Sequence, residues 1–248
     1  MVPSATPQGP GGFFRNAGLS ADCDGVPNNN VRYDSPTVAG FSASWSWGEA
    51  DVWGAIARYA GDFGDFKFSG AIAYIDSTDR QDAVDLVGFG GLRAQAMQSG
   101  ASIFHVPTGL FIYGVYAKDF NENVSRFAGK PDGDNWYLKG GIRQKWNSLG
   151  SSVLFGEYCE DNNKQSIDQW NNGITASNLT QWGVGFQQEI DAAAMALWVV
   201  YRNYSADQTC IGKVGGAASA CSTSPVGGIG KQTFEDFSLV KFGGLISF

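Results

Sequence analysis

The chain has 248 residues, of which 17% are charged and 14% aromatic, with 34 glycines, a single histidine and a formal net charge of −7. Charge is sparser than the ~25% usual for soluble domains, and a net acidic chain lacks the clustered Lys and Arg that phosphate backbones require, so nucleic acid is excluded as a partner. The longest apolar run, residues 192–201 between Asp191 and Arg202, is half the ~20 residues of a spanning helix but matches the ~9–11 of a spanning barrel strand.

Residues 1–28 are rich in Pro, Gly and Asn and have no periodicity, which predicts an irregular loop or frayed end. The first dozen residues have neither a basic nor an apolar stretch, so a signal peptide is expected to have been removed or the chain to be a piece of a longer one. From residue 29 onward no 3.6-residue pattern persists and period two dominates, the period of a strand.

Strands are predicted at residues 31–35, 41–47, 52–60, 66–74, 93–106, 110–118, 135–146, 151–160, 180–190, 193–204 and 234–248, eleven in all. In residues 41–47, Phe41, Ala43, Trp45 and Trp47 share one face and Ser42, Ser44 and Ser46 the other. In residues 52–60, Trp53, Ala55, Ala57 and Tyr59 oppose Gly54, Ile56 and Arg58. In the last stretch Val240, Phe242, Gly244, Ile246 and Phe248 alternate with Leu239, Lys241, Gly243, Leu245 and Ser247.

Short turns at 35–40, 60–66, 106–109, 147–150 and 190–193 alternate with long polar loops near 77–92, 119–134, 161–178 and 207–234; only the short 48–51 turn falls on the long-loop side. Segregation of turn lengths to two ends is the layout of an outer-membrane barrel, which makes the expected fold an all-β, transmembrane, antiparallel up-and-down barrel across residues 29–248. Residues 135–146 are the sharpest instance. Trp136 and Trp146 share a face ten residues apart, about 33 Å of strand, which a tilt of about 40° reduces to about 25 Å along the membrane normal. Leu138, Gly140 and Ile142 fill the face between them, while Tyr137, Lys139, Gly141, Arg143 and Lys145 take the other and must face water.

These segments, NNNVRYDSPTVAGFSASWSWGE, DVWGAIARYAGDFGDFKFSGAIAY, HVPTGLFIYGVY, DGDNWYLKGGIRQKW and KFGGLISF, resemble the outer-membrane porins of alphaproteobacteria, over most of residues 28–248. The resemblance implies a homotrimer of barrels of about sixteen strands with a constriction loop in the lumen. It also implies a water-filled channel for passive diffusion of small hydrophilic solutes and ions across the outer membrane of a Gram-negative cell, with a basic wall facing acidic residues across the eyelet. Eleven strands fall short of sixteen, so the chain is expected to match the C-terminal two-thirds of such a porin, without its N-terminal strands and constriction loop. The alternatives are a structural or adhesive barrel with a plugged lumen, and a soluble carbohydrate-binding sandwich.

The basic residues on the polar phase, Arg32, Arg58, Lys67, Lys139, Arg143, Lys145, Arg202 and Lys241, are the candidate pore-lining set. Trp45, Trp47, Trp53, Tyr59, Trp136, Trp146, Trp182 and Phe248 are the candidate aromatic girdle, in contact with lipid and lipopolysaccharide. Acidic residues, among them Asp79, Asp82, Asp85, Asp132, Asp134, Asp161 and Asp168, are expected in solvated loops. Cys210 and Cys221 bracket a small-residue stretch that a disulfide would close; whether Cys23 and Cys159 pair is left open. His105 has no nucleophile motif beside it, and GGIGKQT (227–233) lacks both the Ser/Thr and the strand–helix context of a phosphate loop. No catalytic role, cofactor or metal is expected.

Overall fold

The structure, a computed structural model, describes residues 29–76, 94–121, 132–162, 174–211 and 229–247. The 1–28 segment, Cys23, Cys221, Phe248, the loop aspartates Asp79, Asp82, Asp85 and Asp168, and most of the long-loop regions lie outside them.

Among the described residues there are twelve strands: β1 (Asn30–Asp34), β2 (Phe41–Gly48), β3 (Trp53–Phe63), β4 (Phe66–Asp76), β5 (Ala94–His105), β6 (Leu110–Asn121), β7 (Gly133–Asn147), β8 (Gly150–Asn162), β9 (Ile174–Ile190), β10 (Met195–Ile211), β11 (Ile229–Thr233) and β12 (Phe237–Ile246). Each pairs antiparallel with its sequence neighbour from β1 to β10, and β11 and β12 both pair with β10. The result is an up-and-down sheet of the outer-membrane-barrel kind, curled but not closed. Two single-turn 3₁₀ segments, Glu49–Asp51 and Asp191–Ala193, are its only helical turns among the described residues.

Two expectations change. First, the closing stretch is two strands rather than one. Tyr204 lies opposite Phe237 and Asp207 opposite Thr233, so three steps along β10 match four along the partner. One extra residue is inserted near 234–236, which is a β-bulge. It reverses the phase: Phe237, Leu239 and Lys241 face inward below it, whereas Phe234 and Gln232 do so above it. Second, β7 to β10 run past their expected ends. Asp134 and Asp161, expected in loops, sit in β7 and β8 because the hairpins continue above the apolar band, held there by polar cross-strand pairs such as Asn178–Asn162 at 2.7 Å and Asn135–Asp161.

The short turns rest on backbone that only certain residues tolerate. Gly109, at φ 70°, closes the 106–109 turn and accepts a hydrogen bond from the Arg143 amide at 2.8 Å; a Cβ there would run into the Arg143 carbonyl. That close approach, and the left-handed φ, require glycine.

Exposure along the strands is inverted relative to a soluble sheet. In β2, Phe41, Ala43, Trp45 and Trp47 are exposed while Ser44 is buried. The same holds for Ile72, Ile103, Ile112, Leu138, Leu154, Val184, Val199, Val240 and Phe242, all exposed on the convex face. Among the described residues the buried hydrophobics are Phe155, Leu179, Val200, Tyr204 and Ala206, on the concave face of β8–β10. An antiparallel sheet in water puts its apolar side on a core; here that side has only the surroundings to contact. Strands β2 to β10 each pair on both sides within the sheet, as crossing hydrocarbon requires, whereas β1, β11 and β12 pair on one side only. No helix among the described residues is long and apolar enough to cross a membrane, so any crossing is by strands.

Candidate functional site

The concave face is built from register rows that run across the strands. One row is Tyr113, Lys139, Glu157, Gly183, Arg202 and Leu239, from β6 to β10 and on to β12. At its centre the Glu157 carboxylate, only 1% exposed, accepts from Arg202 Nε at 2.5 Å, from Tyr137 OH at 2.7 Å and from Gln181 Nε2 at 3.3 Å. A buried carboxylate is tolerable only when paired and hydrogen-bonded in this way. Glycine makes the pair possible. Gly183 stands between Glu157 and Arg202, and a Cβ on it would come within 3.2 Å of Glu157 Oε1 and 3.1 Å of Arg202 Cγ.

The adjacent row, toward the short turns, reads Lys67, Phe104, Phe111, Gly141, Phe155, Gly185 and Val200. From Phe111 onward phenylalanine alternates with glycine, and two rings lie over the glycine of the next strand: Phe111 over Gly141, Phe155 over Gly185. Lys139 Nζ sits 3.6 Å above the Phe155 ring centroid, a cation–π contact. Next toward the short turns, Arg143 Nη2 binds Glu189 Oε2 at 2.6 Å. Together these groups line an open trough of about 590 Å³ on the inner wall.

The basic residues expected on the wall do fall on the concave phase, but they are not one bare positive surface. Arg32 pairs with Asp34 at 2.8 Å, Lys67 with Asp62 at 3.9 Å, Lys145 with Asp191 at 3.4 Å, Arg143 with Glu189 and Arg202 with Glu157. Arg58 donates to Ser44 Oγ at 2.7 Å, and Lys241 stands exposed opposite Val200. Lys139 makes no salt bridge among the described residues and rests on the Phe155 ring. Carboxylates therefore lie beside the cations on the same wall. Glu157, Glu189 and Tyr137 were not picked out from sequence as a site, although their strand phase already placed them inward. The phenylalanine row was missed because an inward position was read as polar.

The candidate girdle forms two belts on the convex face. Toward the long loops, Trp47 lies opposite Trp53, Trp53 packs on Tyr74 with ring centroids 5.3 Å apart, Trp136 on Tyr158 at 4.7 Å and Trp182 on Tyr201 at 5.6 Å, with Trp45 one pair below Trp47. Toward the short turns, Tyr59 packs on Phe41 at 4.4 Å and Trp146 stacks on Phe186 at 6.5 Å. His105 sits in the same lower belt, its Nδ1 2.6 Å from Thr108 Oγ1 and its ring on Phe66. Among the described residues Cys159 is a free thiol; the Cys210–Cys221 pairing falls outside what is described.

No family model matches the chain, and no curated protein matches it. Among solved structures it is similar to OmpT, an outer membrane protein of Vibrio cholerae folded in vitro, at 13% identity with a TM-score of 0.45, over 86% of this chain and 64% of that one. The chain thus spans less than two thirds of the length of that protein. Family membership as an alphaproteobacterial porin is not established by these comparisons.

The expectation of no enzymatic role is corrected. The fold alone does not decide between channel and enzyme, because activity belongs to sites grafted on folds. The inner wall moreover holds a buried carboxylate bonded to arginine and tyrosine, a cluster of the type from which acid–base chemistry is assembled. Missing nucleophile motifs do not exclude that.

Proposed function

We propose that the chain forms the wall of a water-filled outer-membrane channel for passive diffusion of small hydrophilic solutes and ions, as its resemblance to alphaproteobacterial porins suggests. The observation that carries this reading is the opposition of faces on single strands. On β7, Trp136 and Leu138 are exposed on one side while Tyr137, Lys139 and Arg143 line the other with Glu157 and Glu189. Such a wall suits lipid outside and water inside. Paired charges along the lumen keep it wet, and Lys139, opposite Glu157 but in no salt bridge among the described residues, adds a positive group to the wall. A homotrimer in contact with lipopolysaccharide is the assembly that fits the apolar convex face.

Purified protein in planar bilayers is expected to give stepwise conductance, and liposomes carrying it to swell in isosmotic sugar. Absence of both from folded protein would overturn the channel and favour a plugged structural barrel.

A further inference from the structure

We propose that the trough on the inner wall is a binding subsite for aromatic carboxylates. Its floor is three phenylalanine rings, Phe104, Phe111 and Phe155, in one register row. On β2 to β5 the rest of the concave phase carries mostly small or polar groups such as Ser42, Ser44, Ala71, Ala73, Gly100 and Ser102. Phe155 is buried beneath Lys139, but Phe104 and Phe111 are only half-buried beside it, and a flat apolar solute would cover them.

The rim carries three cations and one carboxylate: Lys67, Lys139, Arg143 and Glu189 line the same trough. Arg143 is held by Glu189 at 2.6 Å and Lys67 stands 3.9 Å from Asp62, whereas the Lys139 ammonium rests on the Phe155 ring, 3.6 Å from its centroid, without a salt bridge among the described residues. That contact fixes a positive charge at the level of the aromatic floor, so a ligand whose carboxylate meets Lys139 has its own ring beside Phe104 and Phe111. The volume of about 590 Å³ lies within the ~300–1,000 Å³ of small-molecule sites. A lone exposed cation binds anions weakly, and stacking alone does not select charge; the two together select a ring bearing an anion. The inference rests on the channel reading only for access from water.

Titration calorimetry on the full chain, folded in detergent, tests it with three probes: benzoate, acetate (the charge without the ring) and benzylamine (the ring with the opposite charge). Benzoate is expected to bind at least tenfold more tightly than either. Lys139→Gln is expected to lose that preference tenfold, and Phe111→Ala to weaken benzoate while leaving acetate unchanged. Equal binding of benzoate and acetate to the unaltered protein would overturn the proposal without reliance on any variant. So would benzoate affinity unchanged in Lys139→Gln with a native circular-dichroism melt. Binding without bilayer conductance would sink the channel and keep the subsite; conductance without ring selectivity would do the reverse.

Discussion

Arg202 reaches across an entire strand to Glu157. Its Nε lies 2.5 Å from the carboxylate, and β9 passes between them at Gly183. The pair ties β8 to β10 where neither is the other's neighbour, and Tyr137 extends the bond network to β7. Removing one partner of a buried pair leaves a charge unsatisfied and costs about 3–5 kcal/mol. Glu157→Gln is therefore expected to lower the stability of the folded sheet by that order in equilibrium urea unfolding from lipid vesicles. Glu157→Leu combined with Arg202→Leu is expected to be milder than either single change; equal or greater loss in the double variant would show that the pair is not coupled.

Gly183→Ala tests the same contact without touching a charge. The new methyl would stand 2.7 Å from the Tyr201 carbonyl oxygen and against both partners of the pair. Overpacking of this kind costs about 1–3 kcal/mol. Gly64, whose added Cβ would meet nothing within 4 Å but whose φ of 59° is left-handed, serves as a control for strain alone.

Leu138 and Lys139 are consecutive and face opposite media. With Cys23, Cys159, Cys210 and Cys221 replaced by serine, Leu138→Cys is expected to react with a membrane-soluble label and Lys139→Cys with an aqueous thiol reagent. Identical reactivity would contradict the two-faced wall. Leu138→Arg, which puts a charge in the apolar belt two residues inside the Trp136 girdle, is expected to destabilise by less than the about 2–4 kcal/mol of a midplane charge in the same urea assay.

Lys139 also offers a test of charge preference, since it makes no salt bridge among the described residues although Glu157 lies opposite it. Lys139→Glu is expected to move the zero-current potential in a salt gradient toward cation preference, and Lys145→Glu less so, because Asp191 already lies 3.4 Å from Lys145. Equal shifts would indicate that neighbouring carboxylates do not screen the wall.

Much of the sheet was legible because period two is directly visible in residues: Trp45 and Trp47 alternate with serines, and Leu138 alternates with Lys139. Strand ends were less legible. Asp134, Asp161 and Asn178 look like loop residues, and only their cross-strand bonds keep them in β7, β8 and β9. The bulge near 234–236 was hidden because a single inserted residue is apparent only against the register of β10. Pairing of Arg143 with Glu189, 46 residues away, likewise requires knowing which strands adjoin. The inward phenylalanines were visible by phase, but amphipathic reasoning assigns rings to the lipid side and passes over Phe104, Phe111 and Phe155.

The alternation of phenylalanine and glycine along one row has a mechanical outcome. Phe155 lies flat because Gly185 leaves space beneath it; a Cβ there would stand 2.7 Å from Val200 Cγ2 and strike the ring itself. A raised ring would project from the concave wall. In the channel we propose, the calibre would thus be governed by backbone positions that no passing molecule ever meets.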